Sequence, residues 1–449
     1  MYNFGGFFVS EYVSICVNKL SLMWFRNYVN ADIVSLFFSK KDLCITPDCK
    51  MDLEEEEDVK YTKYEYMTTV KKAKERLDAR GFGISNLEKI FNSTFIQAID
   101  YSAFLYHLGV DFDELEQKAM ERCKKNVSFK KWKNAMHKIV SYELKNGNIN
   151  HYDITPELNI RTECDKIIYH SLKDTDSESF YGIFTEFIHI AYIFRLILES
   201  CDDNDDIVLD FTNLQYWDSD CIPKALSATD DVEKTIVLVE GTSDKDILEF
   251  AINQIYPHLS DLFYFMDFDD ENGAKRDGGT SYVIKNLKTF YFSKLKSKFV
   301  AIFDNDAEGY YSKCALLHEI KKWPSNFRIL LYPDIKMFHK YPTLAPNGTT
   351  TLDSISRKAC SIELYLPDSL IKNNGTYFPI EWESRKKIKI GNGYEESLYQ
   401  GVISQKDDIK VRFHQLRKEI ENGKKTFVHK DWTRMKLLLD TIVFAFVNE

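Results

Sequence analysis

The sequence predicts an α/β fold, a parallel sheet flanked by helices, set behind an α-helical and α+β N-terminal region. From about residue 232 the short apolar runs "TIVLV", "LFYFM", "FVAIF" and "FRILL" alternate with segments of helical periodicity. Strands that are apolar without alternation belong to parallel sheets covered on both faces. Between about 86 and 231, helical periodicity dominates and Pro and Gly are sparse.

Taken in order, the alternation from Phe7 to Ile15 reads as an early strand, and the first ~60 residues mix β-like runs with turns. "YEYMTTVKKAKERLDARG" reads as a helix, with Met67, Val70, Lys74 and Leu77 near one face and Gly81 ending it. "SNLE" has the form of a capping box, from Ser85 to Glu88. Leu87, Ile90, Phe91 and Phe95 make one helical stripe; Phe184, Phe187, Ile188, Ala191 and Leu196 make another. "IVLDFTNLQYW" returns to the alternation of a strand. The strand-helix alternation of the second half then begins.

The chain has 449 residues, 44% of them hydrophobic, enough for several domains. No apolar run has the ~18 residues needed to cross a bilayer, and the start lacks the pattern of a signal peptide. Nine scattered cysteines include no zinc-site spacing and fit a reducing, cytoplasmic setting. A net charge of −10, concentrated in "DLEEEED" (52–58) and "CDDNDD" (201–206), neither implies nor excludes a nucleic-acid partner. No Walker pattern is present, so no built-in ATPase is expected.

The candidate chemistry lies at the ends of two apolar runs. Glu240 follows "TIVLV", Asp244 comes four residues later at a helix start, and Asp304 and Asp306 follow "FVAIF". In open parallel sheets ligands bind at the carboxyl ends of the strands. Carboxylates meeting there at ~4 Å repel by about 4 kcal/mol per pair even at an effective dielectric of 20. A hard divalent cation offsets that, and an all-oxygen ligand set suits Mg²⁺ or Mn²⁺. A single strand-ending Asp is an ordinary cap. The combination of acids is what points to a metal centre.

"VLVEGTSDKDIL" and "AIFDNDAEG" resemble the two signature motifs of the Toprim domain, shared by topoisomerases, primases and nucleases of the overcoming-lysogenization-defect (OLD) kind. The resemblance covers about residues 232–375. It implies a Rossmann-like Toprim sheet, with Glu240, Gly241 and Asp244 forming the first motif and Asp304 and Asp306 the second. "ACSIELYLP" resembles the segment that supplies a further acid in nuclease-type members, which makes Glu363 a candidate ligand. "FGGFFVSEY", "YEYMTTVKKAKERLDARGFGISNLEKIF" and "IVLDFTNLQYW" resemble a HEPN/Toprim-associated N-terminal module of bacterial proteins linked to phage defence. Arg161 with His170, and Arg122 with His137, match the spacing of a HEPN ribonuclease site poorly, so no such site is assigned.

The resemblance implies a metal-dependent nuclease acting on DNA or RNA, with two ions. Glu240 and Asp244 are assigned to one ion, and Asp304, Asp306 and Glu363 to the other. Glu240 as general acid or base is the alternative role. Nuclease-type members also use a lysine beyond the sheet, for which Lys406 and then Lys410 are candidates. "KNLKTFYFSKLKSK" (285–298), with Lys285, Lys288, Lys294, Lys296 and Lys298, and "SRKKIK" (384–389), with Arg385, Lys386 and Lys387, offer positive charge for a phosphate backbone. "KKNVSFKKWKNAMHK" adds Trp132 as a stacking platform. Taken singly, each segment is more simply an ordinary solvated helix face.

The expected domains are a small α+β module at 1–85, a mainly helical domain at 86–231, the Toprim region at 232–375 and an α+β extension at 376–449. The N-terminal half is expected to mediate any homo-oligomer or contact with a partner defence protein. A catalytically idle Toprim scaffold is the competing reading. A phosphatase of the haloacid-dehalogenase kind, with Asp304 as nucleophile, lacks its downstream Lys and acid pair. A topoisomerase lacks room for strand-passage domains, and a primase lacks zinc-ribbon cysteines.

Overall fold

The computed structural model describes residues 12–50, 60–94, 125, 127–147, 188–218, 220–266, 279–345, 347–383, 386–390, 394–398 and 400–447, with only the backbone for 50, 386–390 and 394–398. The chain divides between Val232 and Glu233 into two units, residue 447 onward belonging with the first. No helix among the described residues is long and apolar enough to cross a membrane.

The N-terminal unit is built on an antiparallel sheet of β1 (Tyr12–Val17), β2 (Leu20–Arg26), β3 (Leu43–Lys50), β4 (Lys60–Thr69) and β5 (Asp206–Asp210), in the order β2-β1-β5-β4-β3. Strand β5 inserts between β1 and β4, with Leu209 opposite both Ile15 and Tyr66. The residues expected to form separate modules before and after 85 therefore share one sheet. Val13, Ile15, Val17, Ile207 and Leu209 alternate into the core, the period of a half-covered strand.

Against this sheet lie α1 (Ala31–Phe37), α2 (Val70–Ala79), α3 (84–94), α4 (Phe129–Asn146), α5 (Ile190–Leu198) and α6 (Cys221–Leu226). The helix expected from Tyr64 begins only at Val70, capped by the Thr69 hydroxyl. Residues before it are drawn into β4 because β3 and β5 supply partners on both sides. Gly81, at φ 85°, follows the end of α2. Ser85 does not cap α3: the helix has already begun at 84, and the Ser85 hydroxyl donates to the Val447 carbonyl. Trp132 is fully buried among Phe91 and Phe129 and offers no surface for a base.

The unit Glu233–Phe446 carries a parallel sheet of β6 (Thr235–Leu238), β7 (Phe263–Phe265), β8 (Phe299–Phe303) and β10 (Phe327–Leu331), in the order β10-β8-β6-β7. Every residue of β8 is buried, because the strand is central and covered on both faces. Helices α7 (Thr242–Ile255), α8 (Thr280–Phe292) and α9 (Ala307–Glu319) make the crossovers. Leu238, Phe299, Ala301, Phe303, Phe327 and Ile329 pack with Val283 and Leu287 of α8 and Leu316 of α9.

A short strand, β9 (Asn305–Asp306), continues directly from β8 and pairs with β13 (Ala359–Cys360). A second sheet joins β11 (Tyr341–Leu344), β12 (Thr350–Asp353), β16 (Ile380–Trp382) and β19 (Gly401–Ile403). Small hairpins form from β14 (Lys372–Asn373) with β15 (Thr376–Tyr377), and from β17 (Lys386–Ile390) with β18 (Tyr394–Leu398). Helices α10 (Asp368–Ile371), α11 (Lys406–Glu421) and α12 (Thr433–Val443) complete the unit.

Candidate functional site

Strands β6 and β8 are parallel neighbours, with Leu238 opposite Ala301, so both end at the same edge of the sheet. Glu240 leaves β6 there, and Asp304 is the first residue after β8. The Glu240 carboxylate accepts a hydrogen bond from the Asp304 backbone N–H at 3.0 Å. The carbonyl of Glu240 accepts from Gly279 N–H at 2.7 Å, which starts α8 beside the same edge. One residue on, the Thr280 hydroxyl donates to Glu308 at 2.9 Å. Asp244 is buried in the first turn of α7.

The middle of the edge is made by the Asp-Asn-Asp stretch. Asp306 is the N-cap of α9: its Oδ1 accepts from Gly309 N–H at 2.7 Å, and its Oδ2 from the Gln400 amide at 2.9 Å. Helix α9 starts so close to the end of β8 that a Cβ on Gly309 would overlap the Asp304 carbonyl. Pairing of Ala359 with Asp306 brings β13 alongside, and the turn that follows carries Glu363, 1% exposed. Glu363 accepts from the Ser361 hydroxyl at 2.6 Å through Oε2, and Lys406 Nζ lies 3.4 Å from its Oε1.

Three of these carboxylates, Glu240, Asp244 and Asp304, are raised by burial and by their neighbours' charge. Burial, then the charge of Asp306, pushes Glu240 up to about 8, although the Asp304 N–H works the other way. Asp244 rises to about 7, from burial and then Glu363, with Lys406 and Lys410 opposing. Asp304 is held well above its ordinary value by burial and then by Glu240, Asp244, Asp306 and Glu363. Lys406 moves up: burial alone would lower it, but Glu363, Asp304 and Asp244 outweigh that. Asp304 is thus the hub. Glu240 feels the charges of both Asp306 and Asp244, and Asp244 that of Glu363.

The structure therefore brings Glu240, Asp244, Asp304, Asp306, Glu363 and Lys406 to one edge. It does not bring the lysines of 285–298 there as a group. Lys294, Lys296 and Lys298 precede β8, at its amino end, Lys298 about 20 Å from Asp304 at ~3.3 Å per residue. Lys288 is paired with Glu319 at 2.6 Å. Lys285 is exposed on α8, the helix that starts at the carboxylate edge. Arg385 lies outside the described residues, as do Arg122, Arg161 and His170, and for Lys386 and Lys387 only the backbone is described.

Four contributors escape sequence reasoning: Thr280, Glu308, Ser361 and Gln400. Glu308 extends the Asp-x-Asp spacing by two and was available as a signal; Gln400 carries none, since only tertiary pairing places it. One oxygen tests the fit of a divalent cation. Asp304 Oδ1 is buried without a hydrogen-bond partner, a costly state for a carboxylate unless positive charge answers it, whereas Glu363 Oε1 already faces the Lys406 ammonium at 3.4 Å. The donor set is all oxygen, as Mg²⁺ and Mn²⁺ prefer, and the residues fit such an ion. Among the described residues no three His, Cys, Asp or Glu side chains form a ready metal-binding group; the acids are turned toward N–H, O–H and ammonium donors instead.

Residues 10–220 match the family model described as HEPN/Toprim N-terminal domain 1. That span covers the whole described sheet of the N-terminal unit, β1 to β5. No curated protein and no solved structure matches the chain.

Proposed function

We propose that the Glu233–Phe446 unit is a divalent-metal-dependent nuclease of the Toprim class that cleaves phosphodiester bonds of DNA or RNA. One observation carries this reading: Glu240 and Asp304, from separate parallel strands, are joined at 3.0 Å at a carboxyl edge crowded with acid. The family name of the N-terminal match pairs such a module with HEPN or Toprim partners, which supports the reading; a role in antiviral defence is part of the proposal and rests on the sequence resemblance alone.

In this proposal Glu240 and Asp244 would hold one Mg²⁺ or Mn²⁺ ion, and Asp304, Asp306 and Glu363 the other. Bound ions would supply Lewis acidity and a more acidic water. The chain's own residues do the rest. The Asp304 N–H fixes the Glu240 carboxylate, the Asp306 cap locks α9 against the edge, and Lys406 presents positive charge toward a developing oxyanion. Lys406 is preferred to Lys410 because it lies 3.4 Å from Glu363.

Incubation of labelled single-stranded DNA, duplex DNA, structured RNA and tRNA with Mg²⁺ or Mn²⁺ tests the proposal. Cleavage that falls by roughly 10²- to 10³-fold in Glu240→Ala and Asp304→Ala is the expected outcome. Equal cleavage by both variants and wild type rejects it. A non-catalytic scaffold is the second reading, favoured by the lack of a ready three-ligand group among the described residues. It predicts no cleavage of any substrate and no thermal shift with either ion.

A further inference from the structure

Two cations beside the carboxylate edge have a different character from the helix-face lysines. Arg357 is exposed at φ 59°, a left-handed conformation that is strained for a residue with a side chain. Its backbone N–H is held by Asn305 Oδ1 at 3.2 Å, the middle residue of Asp-Asn-Asp, and Asn305 is 3% exposed. The guanidinium lies 4.9 Å from the ring centre of Tyr310, in the second turn of α9. The next residue, Lys358, is also exposed, bridges to the Asp306 backbone, and reaches over Trp382 at 6.0 Å. Among the described residues neither cation has a hydrogen-bond or carboxylate partner for its charged group.

A cation stacked on an aromatic ring keeps its N–H edge free, and a guanidinium offers that edge as a planar fork suited to phosphate. Two such pairs, tied by backbone contacts to Asn305 and Asp306, stand beside the carboxylates rather than across the sheet from them. We infer that Arg357 on Tyr310 and Lys358 on Trp382 grip phosphates of the nucleic-acid strand next to the one being cut. The inference rests on the proposed nuclease function and gives its substrate backbone a defined contact. It also answers how a strongly acidic edge admits a polyanion, since the basic run at 294–298 lies at the other end of β8.

The test uses the full chain carrying Asp304→Asn, so that binding is read without cutting. Binding of labelled 20-nucleotide single strands and duplexes is measured over a range of salt. Adding Arg357→Asn and Lys358→Ser together is expected to weaken binding. It should also reduce the magnitude of the log–log salt slope by about 1.4 for single strands or about 1.8 for duplexes, two phosphate contacts' worth. Asn is chosen at 357 because it tolerates the left-handed backbone. Lys358→Ser alone, outside the strained position, should remove about half that slope, and Arg357→Lys should retain it. Unchanged affinity and slope in the double variant, with the parent binding normally, overturn the inference and leave the nuclease reading standing. A wild-type protein that neither binds nor cuts any nucleic acid overturns both.

Discussion

The Glu240 carboxylate accepts a hydrogen bond from the Asp304 N–H, a contact between residues 64 apart in the chain. It does two jobs. It orients one acid of the edge, and it fixes the separation of two loops that would otherwise be pushed apart by their charge. Because the donor is backbone, the side chain of Asp304 stays available.

Neutralising the hub separates charge from shape. Asp304→Asn keeps permanently neutral a buried group whose ionisation Glu240, Asp244, Asp306 and Glu363 all oppose, with almost no change in volume. In EDTA at pH 8 its melting temperature is expected to exceed that of wild type by a few degrees, at about 2–4 °C per kcal/mol for a unit of this size. With millimolar Mn²⁺ the order reverses, since only wild type gains stability from the ion. Differential scanning calorimetry in the two buffers reads both effects. A variant that melts below wild type in EDTA contradicts the repulsion described here.

Asp306 and Gly309 distinguish scaffold from chemistry. Asp306→Asn keeps an oxygen for the Gly309 N–H, and Gln400, whose Oε1 is unpaired, can turn its amide to accept from the new NH₂. This variant is expected to melt close to wild type while losing cleavage by roughly 10²-fold. Asp306→Ala loses the cap as well, at about 1 kcal/mol. Circular dichroism melts beside the cleavage assay compare the two.

Gly309→Ala is the converse case. Helix propensity favours alanine by about 1 kcal/mol, but the new methyl meets the Asp304 carbonyl, a backbone atom that cannot rotate aside. Overpacking of this kind costs about 1–3 kcal/mol, so the net expectation is destabilisation, with displacement of Asp304 and lost cleavage. A stabilised, fully active Gly309→Ala protein would show that α9 can withdraw from the strand end.

Lys406 and Lys410 are separable by substitution with methionine. Removing Lys406 leaves buried Glu363 without its ion pair, so Lys406→Met is expected to lower kcat by roughly 10²-fold with little change in KM. Lys410→Met is expected to stay within a few-fold of wild type. Steady-state kinetics on one cleaved substrate decide which lysine serves the site.

Much of the Glu233–Phe446 unit is legible locally because burial on both faces leaves an unmistakable run such as Phe299–Phe303, and the acids are the residues that end such runs. What is not legible depends on distant partners. Tyr64–Thr69 carries a helix-like stripe, yet β3 and β5 recruit it as a strand, and β5 lies more than 130 residues away in sequence. Glu363 reaches the edge only through the two-residue pairing of β13 with β9. Trp132 sits in a lysine-rich helix whose apolar side is core. The lysines at 294–298 are different: a run that precedes a parallel strand lies at its amino end, so their distance from Asp304 is readable from order alone.

The N-terminal unit has its own electrostatic hinge at Arg195, which pairs with Asp78 at 2.7 Å and with Glu199, one turn on. Burial pushes Glu199 up, but the hydrogen bond and charge of Arg195, with Lys74 and Lys133, outweigh it and leave the group below its usual 4.5. The unfolded chain therefore binds more protons than the folded one in the window below 4.5, and stability there rises with pH. The stabilisation is complete above the unfolded value and is lost as pH falls through the folded one. Arg195→Met leaves Asp78 and Glu199 without their shared partner and, because both carboxylates are partly exposed, is expected to cost about 1–2 kcal/mol at neutral pH, with a flatter acid limb. Hydrogen exchange of α2 and α5 peptides across pH 3.5–7, a window set about the carboxylate range, measures both. An acid limb that stays as steep in the variant as in wild type would assign the acid sensitivity to other carboxylates.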